Sequence, residues 1–341
     1  MPSTQERYAM WFRQLALFRL DPRQLPDFDK LETALARHPF AACGGLDWYS
    51  DGFVPAAPHK PDQMLARAGG AALVTLKRED KVLPAAVVRD FVERRVAEIE
   101  EKELRQVGRK EKKELRETVE DDLLPRAFTK SGRSRCYIDP QSGWLVADAG
   151  GTKAENLVSA IREQLPPFPA RLPRTALSPA TAMTMWLGNG APDGFELDSD
   201  CELKSPGDDG ATIRCARQDL TAQEVRQHVD TGKQVTRLGL IWQERIRFVL
   251  TDKLELKRVQ FLDVIEDEAS QAGDDAEALF DATLLLMVGE LRGLIGELIE
   301  ALGGELPVDG ESSPQPAPAR PAPAVAPAAA PVGDTSVPPW E

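Results

Sequence analysis

The segment 85–122 constrains the fold more than any other, because it is helical in pattern yet too charged to be buried. Apolar residues recur at helical spacing, with arginine and glutamate between them, at four positions: Val88, Val92, Val96 and Ile99. Pro84 suits the first turn of such a helix, where its missing N–H is not needed. We expect Gly108 to break this helix and a second helix to cover 110–122. A helical hairpin so poor in large apolar residues is expected to project from the body of the protein.

The next segment, 126–135, is basic and is expected to form a loop at the tip of this projection. It contains no acidic residue, one aromatic residue, Phe128, and four cations: Arg126, Lys130, Arg133 and Arg135. Such a cluster is what a phosphate-binding finger requires, because cations replace counterions and the ring supplies an apolar wedge or anchor. The alternative is a solvated turn whose Phe128 folds back onto the core, since charge runs are usually solvated surface.

The net charge of −13 argues against a nucleic-acid partner until its distribution is considered. From Asp252 onward the chain carries 18 acidic and 5 basic residues, whereas residues 1–251 carry 37 of each sign. The acidity therefore belongs to the C-terminal quarter. A polyanionic partner stays open if the neutral part collects its cations on one face.

The cysteines indicate a cytoplasmic protein. They lie far apart and form no CxxC pair, so we expect reduced, mostly buried thiols: Cys43, Cys136, Cys201 and Cys215. Arginines break the stretch 10–20, which argues against an export signal. The segment 279–299 contains four charged residues, too many for a membrane span, and we expect no membrane partner.

The rest of the sequence predicts an α+β fold with mixed or antiparallel sheets and packed helices. Helices are expected at 26–38, 152–165, 179–187, 221–230 and 276–302. Strands are expected at 10–20, 71–77, 133–139, 144–148, 194–203, 211–217, 234–242, 244–251 and 254–262. A charged turn is expected to follow the strand at 71–77.

The composition divides the chain into a folded body and three excursions. The predicted parts are a flexible extension at 1–9, an α+β body at 10–84 and 136–305, a helical finger at 85–135, and a disordered tail at 306–341. The body is expected to contain two sub-domains, 136–175 and 176–305. The tail holds 10 of the 27 prolines and many alanines, and such a segment cannot form a core.

Signals for catalysis are weak, and we predict a protein that is not an enzyme and has no cofactor or metal. None of the histidines has a metal-ligand spacing: His38, His59 and His228. The stretch 150–153, Gly-Gly-Thr-Lys, lacks the spacing of a P-loop, and the start of a helix explains it equally well.

The main enzymatic alternative is a metal-dependent DNA nuclease built on a Glu-x-Lys pair. Glu202, with Asp198 and Asp200 nearby, would supply metal ligands. Lys204 would stabilise the developing negative charge. However, Glu-x-Lys occurs five times in this charged chain, starting at positions 79, 100, 111, 202 and 255. The pattern alone therefore does not establish a nuclease.

Several separated motifs follow one another in order between residues 10 and 305. They are Met10-Trp11-Phe12, Phe18-Arg19-Leu20, the run 123–128, and the stretches 214–220, 232–246 and 290–305. In this order the chain resembles the recombination-associated protein RdgC family. The departures are the N-terminal extension, the proline-alanine tail, and a segment after Phe128 that is more basic than expected.

The resemblance implies a non-catalytic, nucleoid-associated DNA-binding protein. It implies a ring-shaped homodimer that encloses double-stranded DNA with little sequence preference and restrains the RecA recombinase by occupying DNA; single-stranded DNA is a further candidate. It implies that Phe128 contributes to one dimer contact, and Arg217 with Gln218 to the second.

The same resemblance makes six cations candidates for phosphate contacts: Arg126, Lys130, Arg133, Arg135, Arg217 and Lys233. For Arg217 and Lys233, an ordinary surface salt bridge is an equal alternative.

Overall fold

A computed structural model describes residues 10–306, apart from residues 22, 26, 208–209 and 272–274. The predicted extension at 1–9 and the predicted tail beyond residue 306 lie outside the described residues. The sub-domain boundaries stay a prediction.

The described helices and strands alternate along the chain. The helices are α1 (Phe28–Leu35), α2 (Ala85–Glu103), α3 (Arg109–Leu123), α4 (Thr152–Gln164), α5 (Pro179–Asn189), α6 (Gln223–Asp230), α7 (Asp263–Gln271) and α8 (Ala276–Ala301). The strands are β1 (Leu15–Leu20), β2 (Tyr49–Val54), β3 (Ala66–Ala68), β4 (Ala71–Val82), β5 (Phe128–Asp139), β6 (Trp144–Asp148), β7 (Ala170–Arg171), β8 (Phe195–Lys204), β9 (Thr212–Cys215), β10 (Gln234–Trp242), β11 (Ile246–Thr251) and β12 (Glu255–Phe261).

The described strands form one sheet in the order β2-β4-β5-β6-β1-β12-β11-β10-β8-β9, with β3 beside β4 and β7 beside β1. Neighbouring strands pair antiparallel throughout. The predicted α+β class is therefore confirmed. We call β2, β4, β5, β6 and β1 the first half-sheet, and β12, β11, β10, β8 and β9 the second half-sheet.

Helices cover the two half-sheets differently. On one face, α5 packs on the second half-sheet and α8 on both, and together they close the larger hydrophobic core. On the opposite face, α1 and α4 close a second core, to which only the first half-sheet contributes strands. Side chains alternate between the two faces of a strand. One face of the second half-sheet is therefore not covered by a hydrophobic core of the described residues. We call it the open face.

Few backbone contacts join the two half-sheets. Strands β1 and β12 share only two paired positions, Leu15 with Leu256 and Ala16 with Glu255. One further hydrogen bond runs from the Val259 N–H to the Arg13 carbonyl oxygen, 2.9 Å away. So short a junction requires support from the helix that packs across it.

Helix α8 provides that support by bonding to both half-sheets. The Arg292 Nε donates to Asp139 Oδ2 of β5 at 2.8 Å. At the other half-sheet, the Trp242 Nε1 donates to Glu297 Oε2 at 2.7 Å. Arg245 forms a bidentate pair with Glu290, with N–O distances of 2.8 and 2.7 Å. Polar contacts at separate turns of one helix thus fix both half-sheets against it.

The carboxylate of Asp139 is buried, with 1% of the residue exposed. Burial acts to raise its pKa, but the hydrogen bonds from Arg292, Ser142 and the Gln141 N–H together hold the pKa below its ordinary value. Loss of Arg292 would leave a buried charge without a counterion, which is among the costlier changes in a protein interior.

The predicted helical hairpin is confirmed as α2 and α3. Within these two helices, only Val88, Val96 and Val119 are buried. Helix α2 ends at Glu103, and its C-cap Leu104 breaks it with a left-handed φ of 51°, whereas Gly108 caps the start of α3. The prediction that Gly108 would break the first helix was thus four residues late. Leu104 is 91% exposed.

The loop expected over 126–135 is wrong from residue 128 onward, because the strand expected at 133–139 starts five residues earlier. The expected position of this segment at the tip of the projection is also wrong, since the tip lies between α2 and α3. The charged turn expected after residue 77 is wrong as well. Strand β4 continues to Val82, and β5 begins at Phe128, so that Val82 and Phe128 are paired. Polar cross-strand contacts replace apolar ones, as between the Ser131 hydroxyl and the Glu79 carboxylate at 2.8 Å. The strand pattern was missed because charged side chains occupy both faces of this part of the sheet.

We predict that Arg292→Ala lowers the free energy of unfolding by about 3–5 kcal/mol, because Asp139 remains buried without its counterion. Urea titrations followed by circular dichroism would measure the change. The matched control is Arg105→Ala at the hairpin tip, whose pairs with Glu103 and Glu111 are exposed and screened by solvent and should change the stability little.

The difference between parent and Arg292→Ala should also depend on pH. The lowered pKa of Asp139 stabilises the fold fully above the ordinary aspartate pKa of about 3.9, and this contribution is lost as the pH falls through the lowered value. The stability gap should therefore be full near neutral pH and narrow in acid. If Arg292→Ala and Arg105→Ala lowered the free energy of unfolding equally at neutral pH, the proposed role of the buried Arg292–Asp139 pair would be contradicted.

Candidate nucleic-acid interface

The basic segment forms the exposed half of strand β5. Its residues 128–135 pair with β4 on one side, whereas pairing with β6 begins only at Cys136. One backbone edge of this half-strand is thus left without a partner strand among the described residues. Cations along such an edge discourage uncontrolled strand pairing and remain available to an anionic partner.

Strand geometry divides the candidate cations between two faces. Phe128 and Lys130 share the face of Cys136, whereas Arg133 and Arg135 share the face of Tyr137. Arg126 lies just before the strand, in a 3-10 turn. The sequence prediction of one cationic cluster is therefore only partly met: the structure brings Arg133 and Arg135 together and separates them from Lys130.

These cations also differ in their contacts. Arg126, Lys130 and Arg133 are exposed or half-exposed, and within the described residues their side chains form no ion pair. Arg135 is half-buried, with its Nη2 3.0 Å from Asp148 Oδ2 and its guanidinium 5.8 Å from the centre of the Phe12 ring. Arg135 is therefore engaged within the fold, and the other three are free to meet an anion.

Phe128 does not fold back onto the core, because 86% of the residue is exposed. That alternative is wrong. The paired Val82 is 46% exposed, and Tyr49, on the neighbouring strand β2, is 52% exposed. Apolar side chains exposed together at one end of a sheet indicate a contact surface for another protein.

Arg217, Gln218 and Lys233 lie at the opposite end of the strand order, near the edge strand β9. The backbone of Arg217 is left-handed, with φ of 54°, and its N–H donates to Asp200 Oδ1 at 3.3 Å. The Gln218 N–H donates to the Ser199 carbonyl oxygen at 3.1 Å. These bonds fix the backbone of the segment that carries the two side chains.

The salt bridges considered for Arg217 and Lys233 are not observed. Lys233 Nζ lies 3.1 Å from the Thr231 hydroxyl oxygen, and neither cation forms an ion pair in the part of the chain that the structure describes. The two groups of candidate residues thus occupy the two ends of a single sheet, with β5 near one end and β9 at the other.

The open face of the second half-sheet carries a set of cations that was not predicted from the sequence. They alternate along the strands with core residues: Arg214, Arg237, Arg247 and Lys257, with Arg258 at a bulge. Alternation of apolar and basic residues in the segments 234–242 and 244–251 was the available signal. Four carboxylates pair with them: Asp198, Asp200, Glu202 and Glu255.

The carboxylates of the nuclease alternative belong to this network. Glu202 Oε2 accepts from Arg214 at 2.8 Å and lies 3.7 Å from Arg237; these contacts, chiefly that with Arg214, lower its pKa. Asp200 Oδ2 lies 2.8 Å from Arg258 Nη1. Lys204 is exposed at the end of β8. Among the described residues, no group of three or more histidines, cysteines or carboxylates could hold a metal.

Two other signals have structural explanations. At the start of α4, the Gly151 N–H donates to the Glu255 carboxylate at 2.8 Å. The protein's own carboxylate therefore takes the position at this helix start where a phosphate would have to bind. Cys201 and Cys215 face each other across β8 and β9, and burial, together with Cys215, raises the pKa of Cys201 to about 12. No described helix is long and apolar enough to cross a membrane.

Comparisons with known proteins agree over most of the chain. Residues 10–305 match a family model described as "Putative exonuclease, RdgC". A protein named Recombination-associated protein RdgC from Laribacter hongkongensis is 70% identical over 285 residues, covering 84% of this chain and 95% of that protein. The proteins of that name from Neisseria gonorrhoeae and Janthinobacterium sp. are 49% and 40% identical, over 82% and 83% of this chain and 93% and 94% of their own lengths.

Proposed function

Because this chain belongs to the RdgC family of recombination-associated proteins, we propose that it binds double-stranded DNA without sequence preference as a ring-shaped homodimer. It restrains recombination by occupying DNA that the RecA recombinase would otherwise coat. It acts in the cytoplasm at the nucleoid and performs no catalysis.

The observation that carries this proposal is the position of the two candidate contact regions at opposite ends of one sheet. Each region carries cations that lack ion pairs among the described residues. The β5 region adds the exposed apolar side chains of Phe128 and Val82, and the β9 region adds the edge of the sheet. Two copies joined at both ends enclose a space between their sheets. The cations near these ends, Arg126 and Lys130 at one and Arg217 and Lys233 at the other, would face phosphates and not base edges.

The open face of the second half-sheet supports the same function. Its cations are held by carboxylates of the protein, so phosphate oxygens can replace these partners without moving the strands. Because these five cations are already paired with carboxylates, their contacts with phosphate would be exchangeable, which suits reversible, sequence-independent binding.

A metal-dependent nuclease built on Glu202 and Lys204 is the second candidate, favoured by the exonuclease in the description of the family model. Against it, the Glu202 carboxylate is bonded to Arg214, which would have to be displaced before a metal could bind.

The first prediction concerns phosphate contacts at the β5 end. Replacing Arg126 and Lys130 together by Ser should weaken binding to two unrelated duplexes equally. It should also reduce the slope of log affinity against log salt by about 0.9 for each phosphate that the variant no longer neutralises. Fluorescence anisotropy across a salt series would measure both effects. The control replaces Lys110 and Lys113 by Ser; these carry the same charge on α3 but are paired with Glu114 and Glu117.

If the slope of log affinity against log salt were unchanged in the Arg126 and Lys130 variant, this end of the sheet would not contact DNA phosphates. A large preference of the parent for one of the two duplexes would contradict sequence-independent binding.

The second prediction concerns ring closure. Phe128→Ala removes an exposed apolar contact, so the variant should leave closed circular DNA about tenfold faster or more, with the salt slope unchanged. Stopped-flow dissociation on circular duplex would give the rate, and sedimentation would give the assembly state. Leu104→Ala, at an equally exposed apolar residue of the hairpin tip, is the control and should behave as the parent. Equal rates for Phe128→Ala and the parent would exclude Phe128 from the closing contact.

The third prediction separates binding from cleavage. With magnesium or manganese, the parent should leave supercoiled and linear DNA intact on gels. Glu202→Gln should bind DNA at least as tightly, because Arg214 and Arg237 lose their anionic partner. Glu196→Gln, on the same strand at a carboxylate without an ion pair to any described residue, controls for the change in net charge. Cleavage by the parent that disappears in Glu202→Gln would establish the nuclease instead.

A further inference from the structure

A cleft of about 650 Å³ opens beside the exposed half of β4 and β5, a size within the range of small-molecule sites. The strand register places Thr75 opposite Arg135 and Lys77 opposite Arg133. Directly paired residues project to the same face, so the four polar side chains line one wall.

The rest of the cleft wall is apolar. Proline, aromatic and aliphatic side chains from other parts of the chain form it: Met10, Phe40, Val54, Pro55, Pro58 and Phe280. The polar part of the wall therefore suits an anionic group, and the apolar part suits a flat, weakly polar body. Such division is characteristic of sites for small organic anions.

Two of the three cations of this cleft form no ion pair within the described residues. Within the described residues, Arg133 forms no ion pair, and the Lys77 ammonium lies 3.9 Å from the centre of the Phe40 ring and not against a carboxylate. Arg135 adds a third positive charge, but this residue is ion-paired, with its Nη2 3.0 Å from Asp148 Oδ2. Lys77 and Arg133 can both meet an incoming anion without breaking an ion pair within the described part of the protein.

The hydroxyl of Thr75 is the most specific feature of the cleft. The residue is 3% exposed, and its Oγ1 is buried without a hydrogen-bond partner among the described residues. Buried hydroxyl groups are normally bonded, and each exception requires an explanation. An acceptor oxygen of a ligand in the cleft would satisfy it.

We propose that this cleft binds the phosphate of a single nucleotide, with its base and sugar against the apolar wall. A phosphate offers three acceptor oxygens and about two negative charges, which match the Thr75 hydroxyl and the cations Lys77 and Arg133. A carboxylate offers two oxygens and one charge, and would leave one of the two cations unmatched. The site goes beyond the proposed duplex binding, which requires no unpaired nucleotide.

Isothermal titration of the full-length protein with deoxyadenosine monophosphate tests the site without using duplex DNA. We expect saturable binding at one site per chain, with deoxyadenosine and inorganic phosphate each binding more weakly. Thr75→Val and Arg133→Ser should each weaken binding about tenfold. Arg109→Ser, which removes the same charge at an exposed position at the start of helix α3, is the matched control and should bind as the parent does.

Thr75→Val keeps the side-chain volume and removes only the unbonded hydroxyl, so an unchanged melting temperature would show that the variant is folded. Absence of saturable binding to the parent would overturn the proposal, as would equal binding by Thr75→Val and the parent. Equal competition by an acetylated peptide ending in a free carboxylate would show a carboxylate site and overturn it as well.

The nucleotide has two sources, a free molecule or the unpaired, 5′-phosphorylated end of a DNA strand, whose phosphate is likewise a monoester. Displacement of the mononucleotide by a duplex with a one-nucleotide 5′-phosphorylated overhang, but not by the 5′-phosphorylated blunt duplex, supports the strand as the source. Displacement by neither supports the free nucleotide. Equal displacement by both duplexes would show that the cleft belongs to the duplex-binding surface, which overturns the single-nucleotide site. If the protein binds the mononucleotide but not the blunt duplex, the proposed duplex-binding function is contradicted and the proposed nucleotide site is not.

Discussion

The buried ion pair between Arg292 and Asp139 is the interaction on which the arrangement of the sheet depends. The two half-sheets share only two paired positions, so backbone bonding alone would leave a weak junction. Helix α8 spans this junction, with Arg292 bonded to one half-sheet and Glu290 and Glu297 to the other. Because Asp139 is charged and buried, the helix can shift only if that charge loses its partner, which is costly.

This constraint bears on function because the candidate contact regions lie at the far ends of the sheet. The exposed half of β5 is held through β4, and the segment around Arg217 is held through β8 and Asp200. Helix α8 lies between them and fixes their spacing. The proposed dimer would require such a fixed spacing, since a flexible junction would add an entropic cost to its closure.

Much of the fold could be predicted from the sequence, but less of the site. The hairpin follows from apolar residues at helical spacing, and the strands of the second half-sheet follow from alternation. The exposed half of β5 was missed because charges on both faces hide the period of two. The strand register could not be predicted either, because nothing in the sequence pairs Thr75 with Arg135. Nor does the sequence show that Arg135 is bonded to Asp148 while Arg133 has no ion pair among the described residues. Those pairings depend on contacts between residues distant in the chain.

The two unlike ends of the sheet have a consequence for symmetry. If each end meets the same end of the second copy, one two-fold axis passes through both contacts and lies in the plane of the ring. The two openings of the ring are then identical. Duplex DNA, whose backbone has a similar two-fold relation between its strands, would enter either opening equally well. Such a ring would carry no sense of direction along the chromosome, unlike a clamp whose two faces differ and can recruit partners on one side only.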